Sequence, residues 1–297
     1  MDRTGEIFAL LTAFCWSITA VSFEISGKRI GAISVNIIRL VFAFILFAIF
    51  SQITSGFFIP LNISFFTWKW LLISGLIGFV LGDLFLFQGF INIGARISML
   101  LMSLVPVFSA IIDYFLLNET LNFQKIIGMM ITVTGICIVV FSHGSSNKLS
   151  KENHRTINGI IFAALGALGQ AAGLVLSRYA IGSTNPFAAT QIRTIAGIAG
   201  FTVIIIFTSK TREVISGFLN KSALKFVTIG TIFGPFLGVT FSLAAVQHTG
   251  AGVASTIMSI VPVLLIIPSI FIFKEKVRIP EILGALLSVA GVGILFI

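Results

Sequence analysis

One property of the sequence restricts its fold more than any other: the chain is written twice. Gly78, Gly82, Gly94, Met102, Ser103, Pro106, Glu119, Gly128 and Gly135 recur in order as Gly234, Gly238, Gly250, Met258, Ser259, Pro262, Glu275, Gly284 and Gly291. Each pair is 156 residues apart, as in 262 − 106 = 156. Nearer the start of each copy the separation is 154, as for Arg39 and Arg193 (193 − 39 = 154), so a loop differs slightly in length. A duplication on this scale governs the meaning of every local pattern inside it. It divides the chain into a first repeat at residues 1–142, a polar linker at 143–156 and a second repeat at 157–297. The linker, HGSSNKLSKENHRT, is the longest polar stretch present.

Each copy is too apolar for water. Hydrophobic residues make up 57% of the chain and charged residues 10%, with a mean hydropathy of +1.10. A soluble domain carries about 25% charged residues. Ten apolar segments are expected, near 6–25, 35–54, 69–91, 96–117, 124–141, 157–178, 187–208, 225–246, 252–273 and 279–297. Segments of about twenty residues match a bilayer core of roughly 30 Å. The expected fold is therefore an all-α membrane protein with ten transmembrane helices. Five helices per copy is an odd number, so the second copy enters from the opposite face. The result is two inverted five-helix repeats, a common construction of secondary transporters.

The formal net charge of +9 does not indicate nucleic acid, because the Lys and Arg residues lie mostly between apolar runs. The expected partners are the lipid bilayer and a small-molecule solute, with homo-oligomerisation left open. Thirteen loop lysines and arginines fall on one side of the ten segments and four on the other. That asymmetry places both termini outside by the positive-inside rule. The first apolar run lacks a small-residue cleavage site, so it is read as a retained helix. Cys15 and Cys137 fall inside apolar runs and are read as small buried hydrophobes, with no metal or disulfide spacing. No metalloprotease, phosphate-loop or nucleophile-elbow motif is present, so neither an enzyme nor a cofactor is expected.

Several residues point to where a solute could be held. Gly78 and Gly82, and again Gly234 and Gly238, form small-xxx-small motifs that let helices approach closely in lipid. Pro106 and Pro262 interrupt the fourth and ninth segments at matching positions, and paired interruptions mark transporter binding sites. Asp83 is an acid deep in the third segment, where a charge is costly and must be paired or face a cavity. Gln88 and Asn92 follow it on a broad helical face, whereas the second copy has Val239, Ala244 and His248 there. Trp16, Ser17 and Gln170 lie near the middles of the first and sixth segments, and an aromatic with a few polar groups suits a small-molecule cavity. Ser98, Met102, Ser255 and Met258 are candidates to line it from the fourth and ninth. Arg39 and Arg193 lie a few residues inside their helices, either snorkelling to the headgroups or in contact with substrate or a counter-ion. Topology pairs Arg39 with Glu24 or Asp83, and Arg193 with Asp113. Glu24 and Asp83 are also candidates for proton coupling or for contact with a substrate amine.

Taken together these motifs resemble the drug/metabolite transporter superfamily, specifically its EamA type. The resemblance rests on the early arginine of Asn36 to Arg39 and of Thr190 to Arg193, and on the glycine-rich third and eighth helices. It also rests on the stretches from Ala95 through Pro106 to Glu119 and from Ala251 through Pro262 to Glu275, and on the closing glycines Gly128, Gly135, Gly284 and Gly291. The resemblance implies a small-molecule carrier, often an exporter of amino acids or other metabolites, in a bacterial or archaeal plasma membrane. It implies a central cavity between helices 1, 3, 4, 6, 8 and 9, with helices 5 and 10 peripheral. It also implies cytoplasmic termini, opposite to the loop charges. A broad drug efflux pump, a channel and a non-transporting scaffold are the alternatives.

Overall fold

The structure is a computed structural model that describes residues 3–60, 62–116, 122–144, 150–249, 254 and 257–296. The described residues are helical throughout, joined by short turns. In the first copy α1 runs Thr4–Ile30, α2 Ala32–Ser55 and α3 Phe65–Gly75. A π-helical segment, Leu76–Gly82, then leads into α4, Asp83–Leu101, followed by α5, Leu104–Leu116, and α6, Phe123–Gly144. In the second copy α7 is Ser150–Ile181, α8 Pro186–Phe207, α9 Thr211–Leu219 and α10 Lys221–Thr231. A second π-helical segment, Ile232–Gly238, leads into α11, Val239–Thr249, and then α12 Val261–Leu264, α13 Ile266–Phe271 and α14 Ile279–Phe296.

Local chemistry sets these boundaries. Gly31 separates α1 from α2 with a φ of 79°, and Gly56 ends α2 in the left-handed conformation, which glycine adopts without a Cβ clash. Ser64, Asn185 and Asn220 accept hydrogen bonds from Thr67, Phe187 and Ala223 amides at the starts of α3, α8 and α10. These side chains satisfy amides that the first turn of a helix leaves without partners.

Among the described residues, seven helical stretches rather than ten are long and apolar enough to cross a bilayer: Thr4–Ile30, Ala32–Ser55, Phe65–Leu101, Phe123–Ser142, Thr156–Ile181, Pro186–Phe207 and Lys221–His248. Three shorter apolar helices, Leu104–Phe115, Val261–Phe271 and Ile279–Ile294, accompany them. The protein is thus a multi-pass integral membrane protein. The expected third and fourth segments are cut differently from the sequence pattern. Helix runs from Phe65 to Leu101, with a backbone break at Gly94 (φ 82°, ψ 162°), and gives way to a turn at Met102 and Ser103. Pro106 and Pro262 accordingly do not kink helix interiors. Each sits in the first turn of a helix that has just restarted, where the missing amide proton breaks no helical bond.

The two copies grip each other reciprocally. α1 of the first copy packs on α10, the second π-helical segment and α11, while α7 of the second packs on α3, the first π-helical segment and α4. α2 packs on α8. α6 and α14 form a separate pair, the peripheral placement that the family resemblance implies for helices 5 and 10. Their backbones nearly touch: a Cβ on Gly135 would lie 2.6 Å from the Gly284 carbonyl. Phe65, Phe207, Phe271 and Phe141 are exposed, as an outward surface bathed in acyl chains allows. Cys15 is buried, but Cys137 is exposed on α6, because its helix touches the bundle along one face only.

Candidate functional site

Between the copies lies a cavity of 190 Å³, lined from both. Its walls are largely apolar: Trp16, Phe23, Phe79, Leu86, Phe87, Phe90, Met99, Met102, Leu174, Val239, Met258 and Val261. The polar groups reaching it include Arg39, Asp83, Gln170 and Arg193. α1, α4 and α7 contribute, as the resemblance implies, and α2 and α8 add Arg39 and Arg193.

The two π-helical segments frame this cavity, and they occupy equivalent residues of the two copies (76 + 156 = 232 and 82 + 156 = 238). π-helical turns are rare and concentrate at functional sites. Here they coincide with both small-xxx-small motifs. Gly78 and Gly82 lie against Gly173 and Gly169 of α7, where a Cβ on Gly169 would come within 2.7 Å of the Gly82 Cα. Gly234 lies against Thr19 and Phe23, and Gly238 against Trp16. The first helix of each copy therefore crosses the π-helical segment of the other at glycine.

Immediately after the first π-helical segment, Asp83 faces the cavity. Arg39 pairs with one of its carboxylate oxygens, and the Gln170 amide donates to the other. Gln170 also donates to the Gly78 carbonyl at 3.1 Å. Arg39 and Asp83 are 4% and 5% exposed. Arg39 Nε donates to Asn36 at 3.0 Å, and its guanidinium is surrounded by the Phe87, Phe23 and Phe79 rings at 4.7, 5.6 and 5.8 Å. Arg193, from the second copy, lies 4.6 Å from the centre of the same Phe79 ring. Of the two partners expected for Arg39, the structure supplies Asp83.

Other expected residues lie elsewhere. Arg193 is not paired with Asp113; Asp113 meets Arg178 at 3.1 Å, because α5 packs along α7 and brings the two helices' polar ends together. Ser17 is one position from Trp16, so it turns about 100° away and bonds the Ala13 carbonyl at 2.9 Å. Gln88 and Asn92 bond each other at 3.2 Å and are outside the cavity. The face of α4 that lines it carries Asp83, Leu86, Phe87 and Phe90, three to four residues apart. Ser98 is fully buried against Gly89, where a Cβ would meet its hydroxyl at 3.1 Å. Trp16, Met102, Pro106, Gly234, Met258 and Pro262 do line the cavity. Ser255 lies outside the described residues.

Glu24 has a different setting from the one its sequence position suggests. It is 1% exposed, pairs with Lys28, and accepts a hydrogen bond from the Ala95 amide, the first after the break at Gly94. It thereby caps the restarted part of α4. Beside it, Arg96 bonds Glu275 at 3.0 Å and Glu281 at 2.7 Å. The Arg96 contacts tie α4 of the first copy to the first turn of α14 and to the segment that precedes it in the second. Nothing in the sequence pattern singles out Arg96 and Glu281. The one hint it holds is the recurrence of Glu119 as Glu275.

Residues 3–141 and 157–297 each match the EamA-like transporter family. The chain belongs to that family. The family is one of transporters. The chain is 21% identical over 290 residues to an uncharacterized transporter of Archaeoglobus fulgidus, an alignment covering 96% of each protein. It is 24% identical over 185 residues to an uncharacterized transporter of Clostridium kluyveri, covering 62% of this chain and 58% of that one. A solved crystal structure superposes with a TM-score of 0.64 at 13% identity, covering 99% of this chain and 96% of the other. That likeness concerns the fold alone.

Proposed function

We propose that this EamA-family protein is a secondary transporter, in the export direction, of a small metabolite held in the cavity between its two repeats. The repeats, with 1–142 and 157–297 as the working units, have inverted topology and rock against each other to give alternating access. The observation that carries this reading is the matched interruption of both copies around one cavity. π-helical segments at 76–82 and 232–238, and helix restarts at Pro106 and Pro262, surround it from equivalent positions. Non-helical or strained backbone is tolerated at membrane depth where it lines a cavity, and discontinuous helices in both halves are the usual setting of a transporter site. Arg39, Asp83, Gln170 and Trp16 are assigned to solute contact or to holding those contacts in place.

The test begins with metabolites whose extracellular level rises in cells expressing the protein. Each is then loaded into liposomes containing purified protein. Saturable uptake accelerated by the same solute on the opposite side is the expected result. Flux that rises linearly with concentration and ignores the opposite side would instead identify a channel.

A further inference from the structure

Among the described residues, three charged side chains line the cavity: Arg39, Arg193 and Asp83. Two guanidinium groups thus share one carboxylate, and the division between them is unequal. Arg39 takes the Asp83 carboxylate, the Asn36 side-chain Oδ1 and three aromatic rings. Arg193 is 3% exposed, its Nε is buried without a partner, and no hydrogen bond reaches its side chain among the described residues. It lies over the face of Phe79, and the carboxylate whose charge reaches it is that of Asp83, both of whose oxygens Arg39 and Gln170 already engage. A ring face attracts the cation but leaves the N–H donors unmatched, and a desolvated charge without an opposite charge is strongly disfavoured.

The duplication accounts for this imbalance of charge. Arg193 is the second-copy counterpart of Arg39. The counterpart of Asp83 is residue 239 (83 + 156 = 239), and it is a valine that also lines the cavity. The first copy supplies its own counter-ion and the second does not.

We propose that the missing counter-ion is the solute: a small organic anion with one carboxylate and an apolar body, its carboxylate on Arg193. This rests on the transporter reading above and names the substrate class for the same cavity. The sign follows from the excess guanidinium. A single charge follows because one arginine lacks a partner. Both Asp83 oxygens are already engaged by Arg39 and Gln170, which leaves no acceptor of comparable strength for a solute ammonium. Trp16, Phe87, Phe90, Met102 and Met258 supply an apolar enclosure for the body. The 190 Å³ volume is below the range of about 300–1,000 Å³ typical of drug-sized sites, which favours a solute of one ring or a short chain.

Three probes of nearly equal shape test the charge preference: phenylacetate, phenylacetamide and phenethylamine, titrated calorimetrically into the purified full chain. Phenylacetate is expected to bind at least about tenfold more tightly than the other two, the scale of a hydrogen bond to a charged group. Arg193→Gln and Val239→Asp should each abolish that preference, the first by removing the cation and the second by giving it an internal partner. Arg193→Lys should retain it over the amide. Thermal unfolding midpoints identify which variants are folded; wild type and Arg193→Lys decide the matter if the other two are not. Equal or tighter binding of the amide or the amine, no binding of phenylacetate to the wild type, or a preference that survives both Arg193→Gln and Val239→Asp would overturn the proposal. The transporter reading fails separately, if bound phenylacetate shows no counterflow in liposomes.

Discussion

Replacing Asp83 by Asn tests the buried pair at the centre of the cavity. The two side chains have nearly the same volume, so packing against Leu86 and Phe87 is retained. The loss is electrostatic. The Arg39 pairing loses its charge, and one of the two positions that accept from Arg39 and Gln170 becomes an NH₂ donor facing another donor. Removing one partner of a buried pair costs about 3–5 kcal/mol, because the other charge stays buried. Arg39 keeps its bond to Asn36 and its three ring contacts, so the lower edge, about 3 kcal/mol, is expected. The assay is reversible unfolding of the purified protein in mixed detergent micelles, as a double-mutant cycle with Arg39→Gln. The double variant removes both charges and should be less destabilised than the sum of the single variants by more than about 1 kcal/mol. A single Asp83→Asn cost within about 0.5 kcal/mol, or additivity in the cycle, would refute the claim that these residues form a coupled buried pair.

Further predictions use the same unfolding measurement unless stated. Gly169→Ala should cost about 1–3 kcal/mol, since the new methyl would lie 2.7 Å from the Gly82 Cα and 2.9 Å from its N, both backbone atoms that cannot step aside. Gly27→Ala meets only the Ile91 side chain, Cγ1 at 3.3 Å and Cδ1 at 3.5 Å, and should remain within about 1 kcal/mol of wild type. Arg96→Gln removes the guanidinium that bridges Glu275 and the buried Glu281 and should destabilise by about 3 kcal/mol, with Glu281→Gln restoring part of the loss. Lys28→Met should destabilise by about 1–3 kcal/mol, because it takes the cation from a Glu24 carboxylate that is 1% exposed and keeps the Ala95 amide as a hydrogen bond. Deleting one residue from Leu76–Gly82 should swing Asp83 by about 100° and abolish solute binding, while an equal deletion in the 57–64 loop should not.

Much of the architecture is legible in the sequence, and the reasons are physical. Apolar composition and duplicated landmarks survive any error in helix boundaries, so the two copies and the Arg39–Asp83 pair are within reach of it. Helix type is not. Gly78-x-x-x-Gly82 reads as a packing motif whether the backbone is α or π, because the pattern records small side chains and not the hydrogen-bond register. The positions of the interruptions are displaced for a related reason. In a sequence, proline looks like the break itself, whereas the chain turns at Met102 and Ser103 and proline belongs to the helix that restarts beyond them. Partners of Asp113 and Glu24 depend on which helices pack and where α4 restarts at Gly94, neither of which is encoded locally. Gln88 and Asn92 suggest solute contact by their polarity, but their angular position on α4 favours each other.

The contrast between Asp83 and Val239 shows what duplication offers a carrier of this kind. Scaffold duties are performed in duplicate, by glycine crossings and helix restarts that must be kept in both halves. A residue at the central seam is different: altering it in one half leaves the other half's version in place. One substitution at such a position changes the electrical character of the compartment by a whole unit without touching the architecture. On the reading proposed above, the sign of the cargo is then set by a position that the scaffold of either half does not use.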